Sequence, residues 1–193
     1  MRLENRGFYE LVFICASSIL VGLLLFASFD AAIILAALSA FIVGIVFRPH
    51  RLRGWIPAII ITFLWITASR HMYSGYNTFR IRVFGTALFP ILAWPLGLML
   101  GYYYAIPRIT NVHWTLKWVV LSIIYAMVLI MVEFVGYNVL GIQLDAGKAY
   151  PGWPVLNILH CPWWMQIAYF MNGIVFMGIS SWMDRNDGER IRE

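Results

Sequence analysis

The chain has 193 residues, of which 62 % are hydrophobic and only 12 % charged, with a mean hydropathy of +0.77. About a quarter of the residues of a soluble domain are charged, so this composition excludes one and points to an integral membrane protein. The net charge of +5 sits mostly in short connections between apolar runs, which suits lipid headgroups and gives no reason to expect nucleic acid as a partner.

The periodic apolar runs predict an all-α bundle of six transmembrane helices. The first run covers residues 8–29. It is long enough to span a bilayer and lacks a small-x-small cleavage pattern, so it reads as a helix and not as a signal peptide. A tight turn at Ser28, Phe29 and Asp30 leads into the second run, residues 31–47, whose Ala, Ser and Gly allow close helix packing. The basic connection RPHRLRG then precedes the third run, residues 55–69, with Pro57 in its first turn. The fourth run, residues 83–106, contains Pro90 and Pro95, each expected to kink it. Gly97 and Gly101 after them form a GxxxG pair that offers a packing face. The fifth run is residues 118–135 and the sixth residues 163–183. Residues 1–183 thus read as a single transmembrane domain, and residues 184–193 as a polar cytoplasmic tail.

Lysine and arginine placement sets the orientation. With the N-terminus inside, Arg2, Arg6, Arg48, Arg51, Arg53, Arg108, Lys117, Arg185, Arg190 and Arg192 fall on the inner face. Only Arg70, Arg80, Arg82 and Lys148 fall outside. Both termini are therefore expected in the cytoplasm, and a prokaryotic chain of this kind would lie in the inner membrane. Cys15 and Cys161 make neither a disulfide framework nor a CxxC pair.

Residues 132–164, between the last two runs, concentrate polar and aromatic side chains and form the candidate site. Glu133 is the leading catalytic candidate. A carboxyl group at the end of a membrane helix can serve as an acid towards an apolar substrate, pair with Arg80 or Arg82, or reach the interface. His160 is the second candidate; it reads equally as an interfacial, hydrogen-bonded histidine. No metal is expected, because adjacent His160 and Cys161 do not readily direct both side chains to one ion and no further ligand motif is present.

Two outer loops share a pattern: Gly75-Tyr76-Asn77 with Ile81, and Gly136-Tyr137-Asn138 with Ile142. This is either the trace of a duplicated two-helix unit or a coincidence. Tyr76, Asn77, Arg80, Arg82, Tyr137, Asn138, Asp145, Trp163 and Trp164 are accordingly candidates for ligand contact, although Asp145 and Lys148 also read as a solvated turn. Gln166, Tyr169 and Asn172 recur on one side of the last helix, where they either line a cavity or bond neighbouring helices.

The arrangement of Glu133, Gly136, Leu140-Gly141-Ile142, an outer loop, Pro154 and a helix opening on Trp163-Trp164 resembles the carotenoid-biosynthesis membrane proteins of the lycopene-cyclase and carotenoid-hydratase type. The resemblance covers about a third of the chain. It implies a carotenoid or other lipid as bound molecule and a carboxyl group that protonates a polyene. Pro154-Val155-Leu156-Asn157 stands where the cyclases carry a Pro-x-Glu-Glu element. No Walker loop, GxSxG elbow or DxxD pair is present. The functions expected are a subunit of a larger membrane assembly with an outer-face lipid or pigment pocket, an intramembrane enzyme acting on an isoprenoid or lipid, or a small transporter. The partners expected are membrane lipids and either other integral membrane proteins or further copies of this chain.

Overall fold

The backbone is organised by six long helices, and the computed structural model describes residues 3–109 and 112–190, with side chains from residue 6 to residue 184. Arg2 and Arg192, and the side chains of Arg185 and Arg190, lie outside what is described, so the charge bias rests structurally on the remaining cations.

The helices are α1 (Leu3–Leu25), α2 (Phe29–Ile42), α3 (Trp55–Ser69), α4 (Leu88–Leu100), α5 (Trp114–Phe134) and α6 (Trp163–Arg190). Among the described residues, five segments are long and apolar enough to cross a membrane: Arg6–Leu25, Phe29–Phe47, Pro49–Ser69, Leu88–Arg108 and Trp114–Val139. The sixth helix has the length, but Gln166, Asn172, Ser180 and Ser181 make it more polar, and the last two serines are buried. Neighbouring helices pack in the order α1, α2, α4, α3, α6, α5. Close packing of α5 on α6 depends on glycine, because the Tyr125 ring occupies the space a side chain at Gly173 would need, and Trp118 lies 3.2 Å from a β-carbon built at Gly178.

Several sequence expectations change here. The fourth helix begins at Leu88 and not near residue 83, because Arg82–Val83 and Thr86–Ala87 form a two-stranded hairpin, β1 and β2. Its two-residue turn, Phe84-Gly85, has positive φ at both positions (50° and 79°), the combination that matches strand twist in a tight hairpin. Pro90 consequently falls in the first turn of α4, where the missing N–H has no intrahelical acceptor to serve, and only Pro95 is interior. The GxxxG pair divides: a β-carbon at Gly101 would meet Met177 of α6 at 2.5 Å, whereas Gly97 faces open space.

Three helices end in a π-helical turn: Val43–Phe47 after α2, Gly101–Ala105 after α4 and Val135–Val139 after α5. The turn after α4 meets three arginines. Arg51 donates to the Tyr102 carbonyl (3.1 Å), Arg48 to that of Tyr103 (2.9 Å) and Arg108 to that of Tyr104. Arg48 also pairs with Glu10 of α1 (2.9 Å). Asp184 of α6 holds both Arg51 (3.1 Å) and Lys117 of α5 (2.6 Å). This clamp joins five segments at the face that the charge bias assigns to the cytoplasm. It also places Asp184, the first residue of the expected polar tail, inside the helical fold.

Replacing Asp184 by Asn leaves Arg51 and Lys117, each about 10 % exposed, facing one another without their counter-charge. Asp184 is itself 26 % exposed, so the cost falls below that of a fully buried pair, at about 2–3 kcal/mol. Unfolding in mixed detergent micelles measures it, and an unchanged midpoint would show the clamp to be ornamental.

Candidate functional site

At the opposite end of the helices, two loops knit together over a cavity. Ser28 caps α2 by accepting from the Ala31 amide (3.3 Å). Asp30 in the same turn is buried, and its Oδ2 accepts from the backbone amides of Arg80 (2.8 Å) and Ile81 (3.3 Å). The α3–α4 loop is thereby tied to the start of α2. Asp30 is a functional position that the sequence reading missed, since a lone Asp after a capping serine reads as part of the cap.

The two Gly-Tyr-Asn segments do meet. Tyr76 forms a β-bridge with Leu144; Asn77 donates to the Gly141 carbonyl (2.7 Å) and accepts from the Gln143 amide (2.8 Å). Their backbones differ, however: Gly75 is extended, whereas Gly136, Tyr137 and Asn138 lie in the π-helical turn. Asn138 spends its amide on the carbonyls of Phe134 and Leu156 (both 3.2 Å). The two segments are contacts of one loop with another, without matching conformation.

The second loop returns to the cavity through a strained stretch. Asn157 and Leu159 have φ of 51° and 57°, in the left-handed region, where a side chain costs about 1–2 kcal/mol. Gln166 of α6 holds this stretch in place. Its Nε2 donates to the carbonyls of Leu159 (3.1 Å) and Cys161 (3.0 Å), and its Oε1 accepts from Trp153 Nε1 (3.0 Å). Gln166 is therefore a staple and does not line the cavity. The left-handed turn brings Leu159 into the cavity wall that Glu133 also borders.

The cavity occupies about 470 Å³ between the outer halves of α1 and α2 on one side and the end of α5 with the loops on the other. Val21, Leu25, Ala32, Ile33, Phe79 and Val132 are typical of its wall, and Glu133 is its one carboxyl group. A smaller cavity of about 160 Å³ between α4 and α5 shares Tyr76, Phe89, Val132, Glu133 and Tyr169 with it. Glu133 thus stands in a wall common to two spaces. Among the described residues it has no ion-pair partner, so the expected pairing with Arg80 or Arg82 is not made. Both arginines are exposed, Arg80 being fixed through its backbone and Arg82 lying in β1.

Tyr169 is buried at the end of a directed hydrogen-bond chain. Trp65 Nε1 donates to the Tyr73 hydroxyl (3.1 Å), which donates to Tyr169 (2.8 Å). Each earlier donor is committed, so the Tyr169 hydroxyl hydrogen is left for the cavity. Trp65 is ringed edge-on by Tyr73, Trp94, Trp164 and Tyr169. Burial keeps the Tyr73 and Tyr76 hydroxyls protonated well above the usual phenol range.

The other candidates separate. His160 borders the cavity, stacked on Tyr137 at 4.6 Å, with Nδ1 against the Tyr150 carbonyl (3.2 Å) and Nε2 against that of Asn157 (3.3 Å). A neutral imidazole donates through one nitrogen only, so one of these contacts is the hydrogen bond that holds His160 at the edge of the cavity. Asp145 lies in an exposed pair with Lys148 (3.6 Å), the solvated turn expected. Trp163 is 73 % exposed, and Asn172 has a buried Nδ2 without a partner among the described residues. No group of three or more His, Cys, Asp and Glu converges as metal ligands among the described residues. What the arrangement offers is an apolar chamber with one carboxyl group, the phenols of Tyr76, Tyr137 and Tyr169, and aromatic faces able to stabilise positive charge.

No family model, curated protein or solved structure matches this chain.

Two outcomes are expected of the loop. Gln166→Leu strands two carbonyls and an indole N–H, and should lower stability by about 2 kcal/mol or more in detergent unfolding. Burial, reinforced by the charge of Glu133, pushes the Cys161 thiol up to about 12. In a Cys15→Ser background, alkylation at pH 8 should then be slower than for an ordinary thiol by about three orders of magnitude, because only the thiolate reacts. The rate should go on rising beyond pH 9, and a plateau near pH 9 would show a solvated thiol instead.

Proposed function

We propose that this chain is a multi-pass membrane protein that holds an apolar lipid in the cleft between α2 and α5. The observation that carries this reading is a carboxyl group, Glu133, standing without a counter-ion in the wall of an otherwise apolar cavity. Such a group is costly in a membrane, by about 2.5–3.5 kcal/mol at the centre of a helix, and is retained where it has a ligand or a proton to handle. The cavity volume of 470 Å³ falls within the roughly 300–1,000 Å³ of small-molecule sites. The resemblance to carotenoid-biosynthesis proteins favours an isoprenoid as the occupant. The largely exposed apolar surface of α1 also leaves room for a partner helix, consistent with a subunit of a larger assembly.

A second reading, acid catalysis on the bound molecule, is favoured by one specific feature. Glu133 borders two adjoining spaces together with Tyr76, Phe89 and Tyr169, so a proton delivered there would generate positive charge beside aromatic rings. In this reading Glu133 is the acid.

Native mass spectrometry of the gently extracted protein, with released molecules identified, tests both readings. One neutral apolar molecule per chain is expected, and a chain that carries none removes the lipid reading. Glu133→Gln is expected to retain an occupant but to exchange product for unconverted precursor. The same molecule in both forms would leave binding and discard the acid role.

A further inference from the structure

The cleft does not end at its deep wall. Val21 of α1 and Ala36 of α2 border both the 470 Å³ cavity and another of about 260 Å³ between α1, α2 and α4, which reaches Tyr103 and Tyr104. Along α2 the bordering positions Ala32, Ala36, Ala40 and Val43 recur every three or four residues, on one side of the helix. From Phe29 to Val43, both of which border these spaces, the path is about 21 Å at the helical rise.

We propose that the two cavities form one channel for the single extended hydrocarbon chain of a neutral lipid, with its polar end at Glu133 and its tail between α1 and α4. This rests on the lipid reading above and specifies the ligand. The length along α2 asks for a long chain, and Val21 and Ala36, which border both cavities, mark where it would pass from one to the other. The carboxyl group fixes the direction. Among the described residues no carboxyl group borders the inner cavity; there the Tyr104 hydroxyl donates to Glu10 (3.2 Å), the Tyr103 oxygen accepts from Trp55 (2.7 Å), and Ser17, Ser18 and Ser39 add only small neutral hydroxyls beside Phe13, Ile14 and the tyrosine rings. At the outer end the carboxyl group of Glu133 and the hydroxyl of Tyr169 can bond a neutral hydroxyl, whereas an anionic headgroup would find no lysine or arginine among the described residues of the wall.

Delipidated protein is offered octanol, eicosanol, geranylgeraniol and eicosanoate, and retention is read by native mass spectrometry. The wild type should hold eicosanol or geranylgeraniol at least about ten-fold more tightly than octanol, since every additional buried methylene adds to transfer from the solvent. A preference between those two distinguishes an acyl-derived from an isoprenoid ligand, and either supports the channel. Ala40→Trp, which fills the inner cavity and does not border the outer one, should bring long alcohols down to the octanol level and leave octanol unchanged. Leu100→Trp fills the inner cavity from α4 and repeats the test should Ala40→Trp fail to fold. Equal retention of octanol and long alcohols by the wild type, or a chain-length preference that survives the filling of the inner cavity, overturns the channel while octanol binding preserves the outer cleft. Tighter binding of eicosanoate than eicosanol overturns the neutral headgroup. If the wild type retains no alcohol, octanol included, the lipid reading itself fails.

Discussion

A polypeptide surrounded by hydrocarbon must satisfy its own backbone wherever it leaves the α-helical ladder, and this requirement shapes both ends of the molecule. At one end the π-helical turn after α4 presents the carbonyls of Tyr102, Tyr103 and Tyr104, and three guanidinium groups accept the task of pairing them. At the other end no such supply of cations is used. Two loops exchange backbone bonds at Tyr76, Asn77, Gln143 and Leu144, and the carboxylate of Asp30 takes the amides of Arg80 and Ile81.

The cavity follows from how the second end is built. The loops roof the space above α2 and α5 without drawing the two helices together, because their bonds run to one another and to the start of α2. The helix order α1, α2, α4, α3, α6, α5 leaves α2 and α5 facing across a gap that side chains only partly fill. Gln166 then sets the edge of that gap by bonding the carbonyls of Leu159 and Cys161, which holds Leu159 in its left-handed conformation. The geometry around Glu133 thus depends on an amide side chain that touches no ligand.

Much of the architecture was legible in the residues. Apolar runs of membrane length, their order and the concentration of polar groups between the last two follow from hydropathy alone, and Glu133 stood out because a carboxyl group on an apolar helix is conspicuous. What escaped detection depends on long-range partners. Asp30 and Tyr73 look like ordinary turn and loop residues until Arg80 and Tyr169 are placed beside them. The pairing of Glu10 with Arg48 crosses 38 positions of chain, which no helical period reports. The hairpin at Phe84-Gly85 was hidden for another reason: a large apolar residue occupies a left-handed position usually given to Asn or Gly, so the run read as helix. The shared Gly-Tyr-Asn pattern lies in two loops that meet, but the likeness in sequence does not carry over into similar backbone.

The arginine clamp has a mechanical corollary. It joins α1, α5 and α6 through ion pairs and the end of α4 through guanidinium–carbonyl bonds, whereas the roof over the cavity is held mainly by neutral hydrogen bonds. Local opening favours the part with the fewest charged ties, which makes the roof beside Glu133 the natural place for a bulky molecule to enter.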